Sequence, residues 1–585
     1  MRLNDALATV LRDLGVRYVF GVSGANIEHL HDSLHRLGDG RLTAVLTKRE
    51  DGAAFMADAR ARIHRTLGVC CSTSGGGMMN LVAGLAESYA ESVPVLAIVG
   101  QPPAALDGRG SFQDSSGIGR TVDAHALLST VSKTVQRLLD PGRFWEQLTE
   151  ALTAALSGRP GPAVLLVPRD SFDADVGPRP ADWPADLSGF TQPATPDPGD
   201  VATLFRRLRQ ARRPVLLFGH GIRRSARPGA PARFARQARI PVATTMGARG
   251  EFPHDDPLYA GTAGVSGNPA TAAYLATEAD LVVAVGTGLS KMTSGAFPAW
   301  DPAKVIAVNT DPQDLTRADT ASLTVTGDAG LVFEQLTDHL ADEPFTAPDA
   351  GPLRLDRFVP RLAEPLPDDA APRAHLTGGT LRQSEAIAIL ERYLPANGHL
   401  LYDAGNCAAA AMHLSAVPPG TTSTIALGAG GMGYSIAAAI GAQLGEPAGT
   451  RSVVFCGDGA FLMSGLEIHT AVEWGLPILY VVFNNGMHGM CATRQQTFFE
   501  SRITAVGYTP VDACSVARGI GAPDRLWTGR AETPGELAQA LDDYQKTSHL
   551  PGVLDLRLAA EEVPPFLPLL PPGEPTAAIP APSDT

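Results

Sequence analysis

Short apolar runs alternate with amphipathic stretches along nearly the whole chain, the pattern of parallel strands covered by helices. In the first third the strand candidates are RYVFGV, LTAVLT, LGVCCST, PVLAIVG and PAVLLVP. A stretch without periodicity follows, SFDADVGPRPADWPADLSGFTQPATPDPGD, whose Pro, Asp and Gly content reads as a linker. The runs resume with RPVLLFGHG, IPVATT, ADLVVAVG and AKVIAVN. Beyond a second Pro-rich stretch, roughly Glu343 to Arg373, come GHLLYDAG, STIALG, TRSVVFCGDG, LPILYVVFNN and PGVLDLRL. The pattern predicts an α/β protein with three doubly wound parallel-sheet domains, at residues 1–172, 195–342 and 378–565. The Pro-rich stretch from Glu561 cannot be helical, and the last part of the tail, 566–585, is expected to be mobile. At the start, MRLNDALATVLRDLG predicts an amphipathic helix with Val10, Leu11 and Leu14 on one side.

A chain of 585 residues exceeds what one hydrophobic core accommodates. Its 44% hydrophobic and 18% charged residues fit a compact protein. A formal net charge of −14 argues against a nucleic-acid partner or an anionic membrane surface, while leaving room for a local cationic pocket. Six cysteines, Cys70, Cys71, Cys407, Cys456, Cys491 and Cys514, show no CxxC spacing, so neither a disulfide scaffold nor a zinc site is expected. The first residues lack the features of a signal peptide, and no apolar run approaches the roughly 18 residues that span a bilayer. A cytoplasmic location is the expectation.

The candidate chemistry lies in GDGAFLMSGLEIHTAVEWGLPILYVVFNN, from Gly457 to Asn485. In an open parallel sheet, ligands collect at the carboxyl ends of strands. Asp458 ends one apolar strand between Gly457 and Gly459, which let a bound group come close to the backbone; Asn484 and Asn485 end the next. A carboxylate and an amide oxygen from adjacent strand ends, with a carbonyl from the following loop, would hold Mg²⁺ or Ca²⁺ and through it a phosphate. The helix starting at Gly459–Ala460 offers N–H groups to the same phosphate. Taken alone, GDG at a strand end is more often a turn in which Asp caps the next helix. The asparagine pair in phase on the neighbouring run favours a magnesium-bridged diphosphate.

GDG followed at this spacing by NN resembles the cofactor signature of thiamine diphosphate enzymes, and the resemblance to acetolactate synthase and its relatives covers nearly the whole chain. It implies pyrimidine-binding, central and diphosphate-binding domains in that order. It implies Asp458, Asn485 and the backbone oxygen of Met487 as ligands of Mg²⁺. Gly405 and Asn406 in YDAGN, Gly430 in GAGGMGY, and Gly457, Gly459, Ala460, Gly489 and Met490 would line the cofactor. Met432 would pack between the two rings of the bent cofactor; the alternative is a gap-filling core methionine. LTKREDGAAFMADARAR resembles the family's R-H-E-x-x-A segment, which makes Glu50 the carboxyl that hydrogen-bonds the pyrimidine nitrogen and sets its tautomer. Without the resemblance, Glu50 reads as a first-turn acid complementing a helix dipole. Family members complete one cofactor site with two chains, implying a homodimer at least, with tetramers common.

Three further loops follow the acetolactate synthase order. VFGVSGANI brings Ser23 and Gly24 to the substrate side, TSGGGMMN (Thr73 to Asn80) carries Gly76 where relatives have proline, and GSFQD places Phe112 and Gln113 near the reacting substrate. Lys133, in VSK, corresponds to a basic residue further along, although the interval from Gln113 is longer than in relatives. Arg49 replaces the family histidine beside Glu50, and is read as facing a substrate carboxylate. Arg494, in HGMCATRQQ, stands in a segment where acetolactate synthases carry an acceptor-selecting tryptophan; the competing reading is a solvated surface arginine. The middle domain lacks the Arg- and Asp-rich flavin-side sequence at VGTGLSKMTSG, so FAD is not expected, and GHGIRR is no dinucleotide fingerprint.

These features imply decarboxylation of a 2-oxo acid, pyruvate first among them, with transfer of the acyl unit to a carbonyl acceptor. The absence of an adjacent His-His pair, which simple 2-oxo acid decarboxylases use for protonation, favours transfer over aldehyde release. The alternatives are a decarboxylase or acyloin lyase without an obligatory acceptor, and a non-catalytic cofactor-binding subunit.

Overall fold

Each apolar run named above becomes a strand. In the computed structural model the described residues are 1–294, 300–311, 321–348, 353, 355–364, 380–521, 524–558, 561–570 and 576–578. The first sheet contains β1 (Tyr18–Gly21), β2 (Thr43–Leu46), β3 (Gly68–Ser72), β4 (Val95–Gln101), β5 (Thr134–Arg137) and β6 (Ala163–Pro168), in the spatial order β2-β1-β3-β4-β6-β5. The second contains β7 (Pro214–Phe218), β8 (Val242–Thr245), β9 (Tyr259–Ala263), β10 (Leu281–Val285), β11 (Val305–Asn309) and β12 (Leu323–Thr326), ordered β12-β11-β10-β7-β8-β9. After the short β13 (Asp356–Phe358), the third sheet contains β14 (Gly398–Tyr402), β15 (Thr421–Ile425), β16 (Arg451–Gly457), β17 (Ile478–Asn484), β18 (Trp527–Ala531) and β19 (Gly552–Arg557). Its order is β15-β14-β16-β17-β19-β18. All pairings within the three sheets are parallel.

Numbered within each sheet, the first and third share one order, 2-1-3-4-6-5, while the middle one runs 3-2-1-4-5-6. Both are doubly wound arrangements with a switch point beside the first strand, where ligand crevices form. β5, β9, β12 and β18 have no counterpart among the apolar runs, and each lies at a sheet edge. With one strand neighbour instead of two, an edge strand need not be continuously apolar: TVQR in β5 is half-buried throughout, and YAGTA in β9 is buried but built of small residues.

The second Pro-rich stretch and the tail are partly ordered. Within the second Pro-rich stretch, β13 pairs antiparallel with β20 (Thr576–Ala578) of the tail. Nearby, Ala363 N–H donates to Glu561 O at 2.9 Å and Val563 N–H to Arg361 O at 3.0 Å. The tail is therefore not free along its whole length; residues 579–585, where mobility was expected, lie outside the described residues.

The chain forms two compact units. One holds Met1–Gln192 with Ala426–Glu446 and Leu466–Trp474; the other holds Pro193–Ile425, Pro447–Gly465 and Gly475–Thr585. In the first unit the N-terminal helix Leu3–Asp13 buries Leu3, Leu7, Val10 and Leu11 in a core with Leu30, Leu34 and Phe172. Helix Glu50–His64 is lined by Gly52, Ala53, Ala54, Ala57, Ala59 and Ala61, and it packs against helices Gly76–Ala90 and Tyr434–Gln443. The packing is tight enough that a Cβ on Gly84 would collide with Ala54, and one on Gly441 with the Met56 carbonyl. All six cysteines are free thiols, and among the described residues no helix is long and apolar enough to cross a membrane.

In the second unit, His413 is 4% exposed on helix Asn406–Leu414. Its Nε2 accepts from Phe358 N–H of β13 at 2.8 Å, and Nδ1 lies 3.2 Å from Gly267 O, a pairing met by the neutral ring with hydrogen on Nδ1. Burial, helped by the nearby Arg357 and Arg249, pushes its pKa down from 6.5 to about 4. A lowered folded pKa contributes stability fully above the unfolded value and loses it as pH falls toward the folded one, by about 1.4 kcal/mol per pH unit for one group. The thermal midpoint should therefore fall as pH drops from 6.5 toward 4, and His413→Gln should flatten that slope. An identical slope in the variant would remove His413 as its cause.

Candidate active site

The register of the third sheet levels the sequence-predicted residues. Tyr402 pairs with Phe455 and Gly457 with Phe483, so the loops that follow β14, β16 and β17 leave the same edge together. Those loops carry Gly405 and Asn406, Asp458, and Asn484 and Asn485. β14 and β16 flank the switch point of this sheet. Asp458 is 2% exposed; its Oδ2 accepts from Gly486 N–H at 2.7 Å and its Oδ1 from Gly459 N–H at 3.0 Å. Burial pushes its pKa up to about 7, only partly offset by these amides. Asn485 accepts from Met487 N–H at Oδ1 (3.1 Å) and donates through Nδ2 to Glu561 Oε2 at 2.5 Å. Asn406 donates to the other oxygen of Glu561, while its buried Oδ1 has no hydrogen-bond partner among the described residues. Asn484 is structural: its amide donates to Val511 O and Asp555 Oδ1, both at 2.8 Å.

These residues fit a magnesium-bound diphosphate. The buried Asp458 carboxylate, short of positive charge, the Asn485 Oδ1, which accepts one hydrogen bond from Met487 N–H, and the carbonyl of Met487 are hard oxygen donors of the kind Mg²⁺ takes. Space adjoins them: a Cβ on Gly405 (φ +93°) would meet nothing within 4 Å, and one on Gly457 nothing nearer than 4.0 Å. Gly489 closes the cradle from the other side. A Cβ there would lie 2.8 Å from Asn485 Nδ2, 2.9 Å from Glu561 Oε1 and 3.0 Å from Asn406 Nδ2. Ala460 is buried beside Asp458, and Met487 and Met490 are half-buried. Gly489→Ala should therefore weaken thiamine diphosphate binding about tenfold or more, with little loss of thermal stability, because the displaced atoms are side-chain amides and not core. Calorimetric titration and a melting curve on the same sample check both halves.

The first sheet builds a second corner with the same topology. Helix Glu50–His64 starts just past β2, Ser23 and Gly24 follow β1, and Thr73 follows β3. Glu50 is half-buried; its Oε2 accepts from Asn80 Nδ2 at 2.8 Å, and Oε1 lies where a Cβ on Gly77 would approach to 2.9 Å. Thr73 Oγ1 donates to Gln113 Oε1 at 3.0 Å, and Gln113 is held with φ +60°. Gly24 packs against the Thr73 side chain at a distance that leaves no room for a Cβ. Glu50, Asn80, Thr73, Gln113 and Gly24 thus belong to one neighbourhood. The turn before Glu50 is fixed by Glu467, whose carboxylate accepts from Lys48 N–H at 3.0 and 3.1 Å and from Thr470 Oγ1 at 2.8 Å. Gly430 and Met432 lie in this unit too, on an exposed to half-buried loop.

The remaining residues are more peripheral. Arg49 is turned onto Asp51, with Nε–Oδ1 at 3.1 Å and Nη2–Oδ2 at 3.2 Å. Phe112 is 79% exposed and Ser23 is exposed. Arg494 is exposed, with Nη2 3.1 Å from Cys491 Sγ. Lys133 is taken up structurally, donating Nζ to Ser157 O at 3.0 Å and Arg159 O at 2.7 Å. Glu561, Glu467 and Asn80 were not among the expected site residues. Asn80 ends the quoted TSGGGMMN motif and could have been found there; Glu561 sits in a Pro-rich tail with no local signal.

Three family models match the chain: "Thiamine pyrophosphate enzyme, N-terminal TPP binding domain" over residues 1–119, the central domain over 201–336, and the C-terminal TPP binding domain over 403–555. Among curated proteins, the "Probable acetolactate synthase large subunit" of Methanocaldococcus jannaschii is 30% identical, covering 98% of this chain and 94% of that protein. The acetolactate synthase large subunit of Parasynechococcus marenigrum is 31% identical over 98% of this chain and 90% of its own length. That of Corynebacterium glutamicum is 29% identical, over 95% and 86%. Similarity at this level along almost the full length, with three matching domain models, places the chain among the thiamine diphosphate-dependent enzymes, as a carboligase/transferase of the acetolactate synthase type.

Proposed function

We propose that this chain, with thiamine diphosphate and Mg²⁺, decarboxylates a 2-oxo acid, pyruvate first among them, and joins the retained acyl unit to a carbonyl acceptor. The observation that carries the reading is the buried Asp458 carboxylate, short of a cation, level with Asn406 and Asn485 at the carboxyl end of the third sheet. Thiamine diphosphate, when bound, supplies a nucleophilic carbon and a sink for the electron pair left by carbon dioxide. Asp458, Asn485 and the Met487 carbonyl hold the metal, and Gly405, Asn406 and Gly489 shape the diphosphate cradle. Glu50 holds or releases a proton at the pyrimidine nitrogen, with Asn80 fixing its carboxylate by the 2.8 Å hydrogen bond. Gln113 and Phe112 face the reacting substrate, and Gly430 and Met432 support the cofactor rings.

The reading pairs Glu50 of one protomer with the Asp458 corner of its partner, so a homodimer is the minimum and a tetramer the alternative. It assigns no flavin to the second sheet and a cytoplasmic location to the enzyme. Arg494, exposed where acetolactate synthases carry a tryptophan, selects an acceptor bearing carboxylate, phosphate or sulfonate. That same substitution keeps open a second reading, an acyloin lyase or decarboxylase with no obligatory acceptor.

Incubation of purified protein with thiamine diphosphate, Mg²⁺ and a panel of 2-oxo acids, with and without carbonyl acceptors, separates the readings by product mass. A new carbon–carbon bond supports transfer, free aldehyde alone supports the second reading, and no loss of carbon dioxide from any 2-oxo acid defeats the first. Glu50→Gln should lower turnover about 10²-fold or more while leaving cofactor affinity within about threefold, since it removes a proton-transfer group and keeps the shape. Arg494→Trp should shift preference away from anionic acceptors, read as a change in the ratio of products.

A further inference from the structure

In the first compact unit two buried carboxylates, Asp58 and Glu87, and the half-buried Glu91 share one guanidinium. Arg62 donates Nε to Asp58 Oδ1 at 2.6 Å and Nη2 to Glu87 Oε1 at 3.1 Å, and its Nη1 reaches Glu91 Oε2 at 3.5 Å. Tyr434 Oη and Ser88 Oγ donate to Asp58 at 2.7 and 2.8 Å. Glu87 is 1% exposed, and burial pushes its pKa up, with Arg62 opposing the shift. A carboxylate sharing its cation in this way must find further donors, since leaving its lone pairs bare in a dry site is costly.

Glu87 finds them on another segment. Gly428 N–H donates to Oε1 at 3.2 Å, and Ala429 and Gly430 N–H donate to Oε2 at 2.7 and 3.2 Å. Three consecutive amides converging on one anion form a backbone anion nest, here filled from within the chain. The residues that supply those amides are themselves exposed. The approach is close by construction: a Cβ on Gly428 would stand 2.5 Å from the Cβ of Ala90, on the same helix as Glu87. The segment continues through Gly430 (φ +66°) and Gly433 (φ +87°), conformations that favour glycine, with Met432 between them.

We propose that Glu87 is a positioning residue for the cofactor: its buried carboxylate sets the path of the Gly428–Gly430 loop and thereby the place of Gly430 and Met432. Arg62 holds Glu87 ionised and in register, so the charge cluster inside the helical layer is coupled to a loop at its surface. The proposal rests on the assignment of Gly430 and Met432 to thiamine diphosphate, and the test separates the two.

Hydrogen exchange on cofactor-free wild-type protein comes first. The amides of Ala429 and Gly430, on exposed residues, should be protected about a hundredfold or more over a free loop; unprotected amides would overturn the proposal. Glu87→Gln places an amide NH₂ against loop N–H groups, so it should speed that exchange and raise the thiamine diphosphate Kd about tenfold or more at saturating Mg²⁺. Glu91→Gln loosens the same guanidinium while keeping the Cγ that lies beside Gly428, and should leave Kd within about twofold even where it lowers the melting temperature equally. Equal effects of the two variants on Kd would reduce Glu87 to a structural role. Met432→Ala isolates the underlying assignment: weaker binding there with unchanged binding in Glu87→Gln defeats the proposal alone. Unchanged binding in Met432→Ala, with the exchange result intact, defeats the cofactor assignment instead.

Discussion

A carboxylate taken out of water at the end of a parallel strand has to be balanced by something, and Asp458 is balanced by amide dipoles but by no side-chain cation in its hydrogen-bonded set. Much of the surrounding structure follows from that deficit. Glycines at 405, 457 and 489 clear space beside it, the parallel register brings Asn406 and Asn485 level with it, and the carbonyl of Met487 adds an oxygen. Amide groups of Asn406 and Asn485 meanwhile close on Glu561, an internal anion lying where an external one is expected. The Glu50 corner differs: its carboxylate is only half-buried and accepts a hydrogen bond from the neutral amide of Asn80.

What could be read from the chain alone depended on whether the physics was local. Continuous apolar runs mark strands flanked on both sides, and all of those were visible, with the edge strands β2 and β15; β5, β9, β12 and β18 were hidden because an edge strand need not carry such a run. Asp458 and Asn485 drew notice because polar residues beside glycine at strand ends break the local pattern, whereas Glu50 reads locally as a first-turn acid and stood out only through the family resemblance. Glu561 was not, because its partners lie 155 and 76 residues away and nothing beside it distinguishes it from other tail acids. Glu87 and Glu467 were hidden for the same reason: each reads as an ordinary helix glutamate, and only the folded chain shows which backbone amides it receives. One pairing could not be seen in proline-rich sequence: the second Pro-rich stretch and the tail meet as β13 and β20.

The departures from the acetolactate synthase pattern noted in the sequence fall on exposed side chains and one exposed glycine. Gly76 is exposed where relatives have proline, Arg49 is turned onto Asp51, and Arg494 stands exposed beside Cys491. None of these alters the Asp458 cradle or the Glu50–Asn80 pair.

The shared strand order of the first and third sheets has an implication for how such an enzyme arises. One scaffold, used twice in a single polypeptide, offers the same corner in two copies, and each copy carries a different acid: a half-buried carboxylate held by Asn80 in one, a dry carboxylate met by backbone amides in the other. Duplication followed by divergence of a few loop residues is then enough to give two corners of different electrostatic character, with no new architecture required.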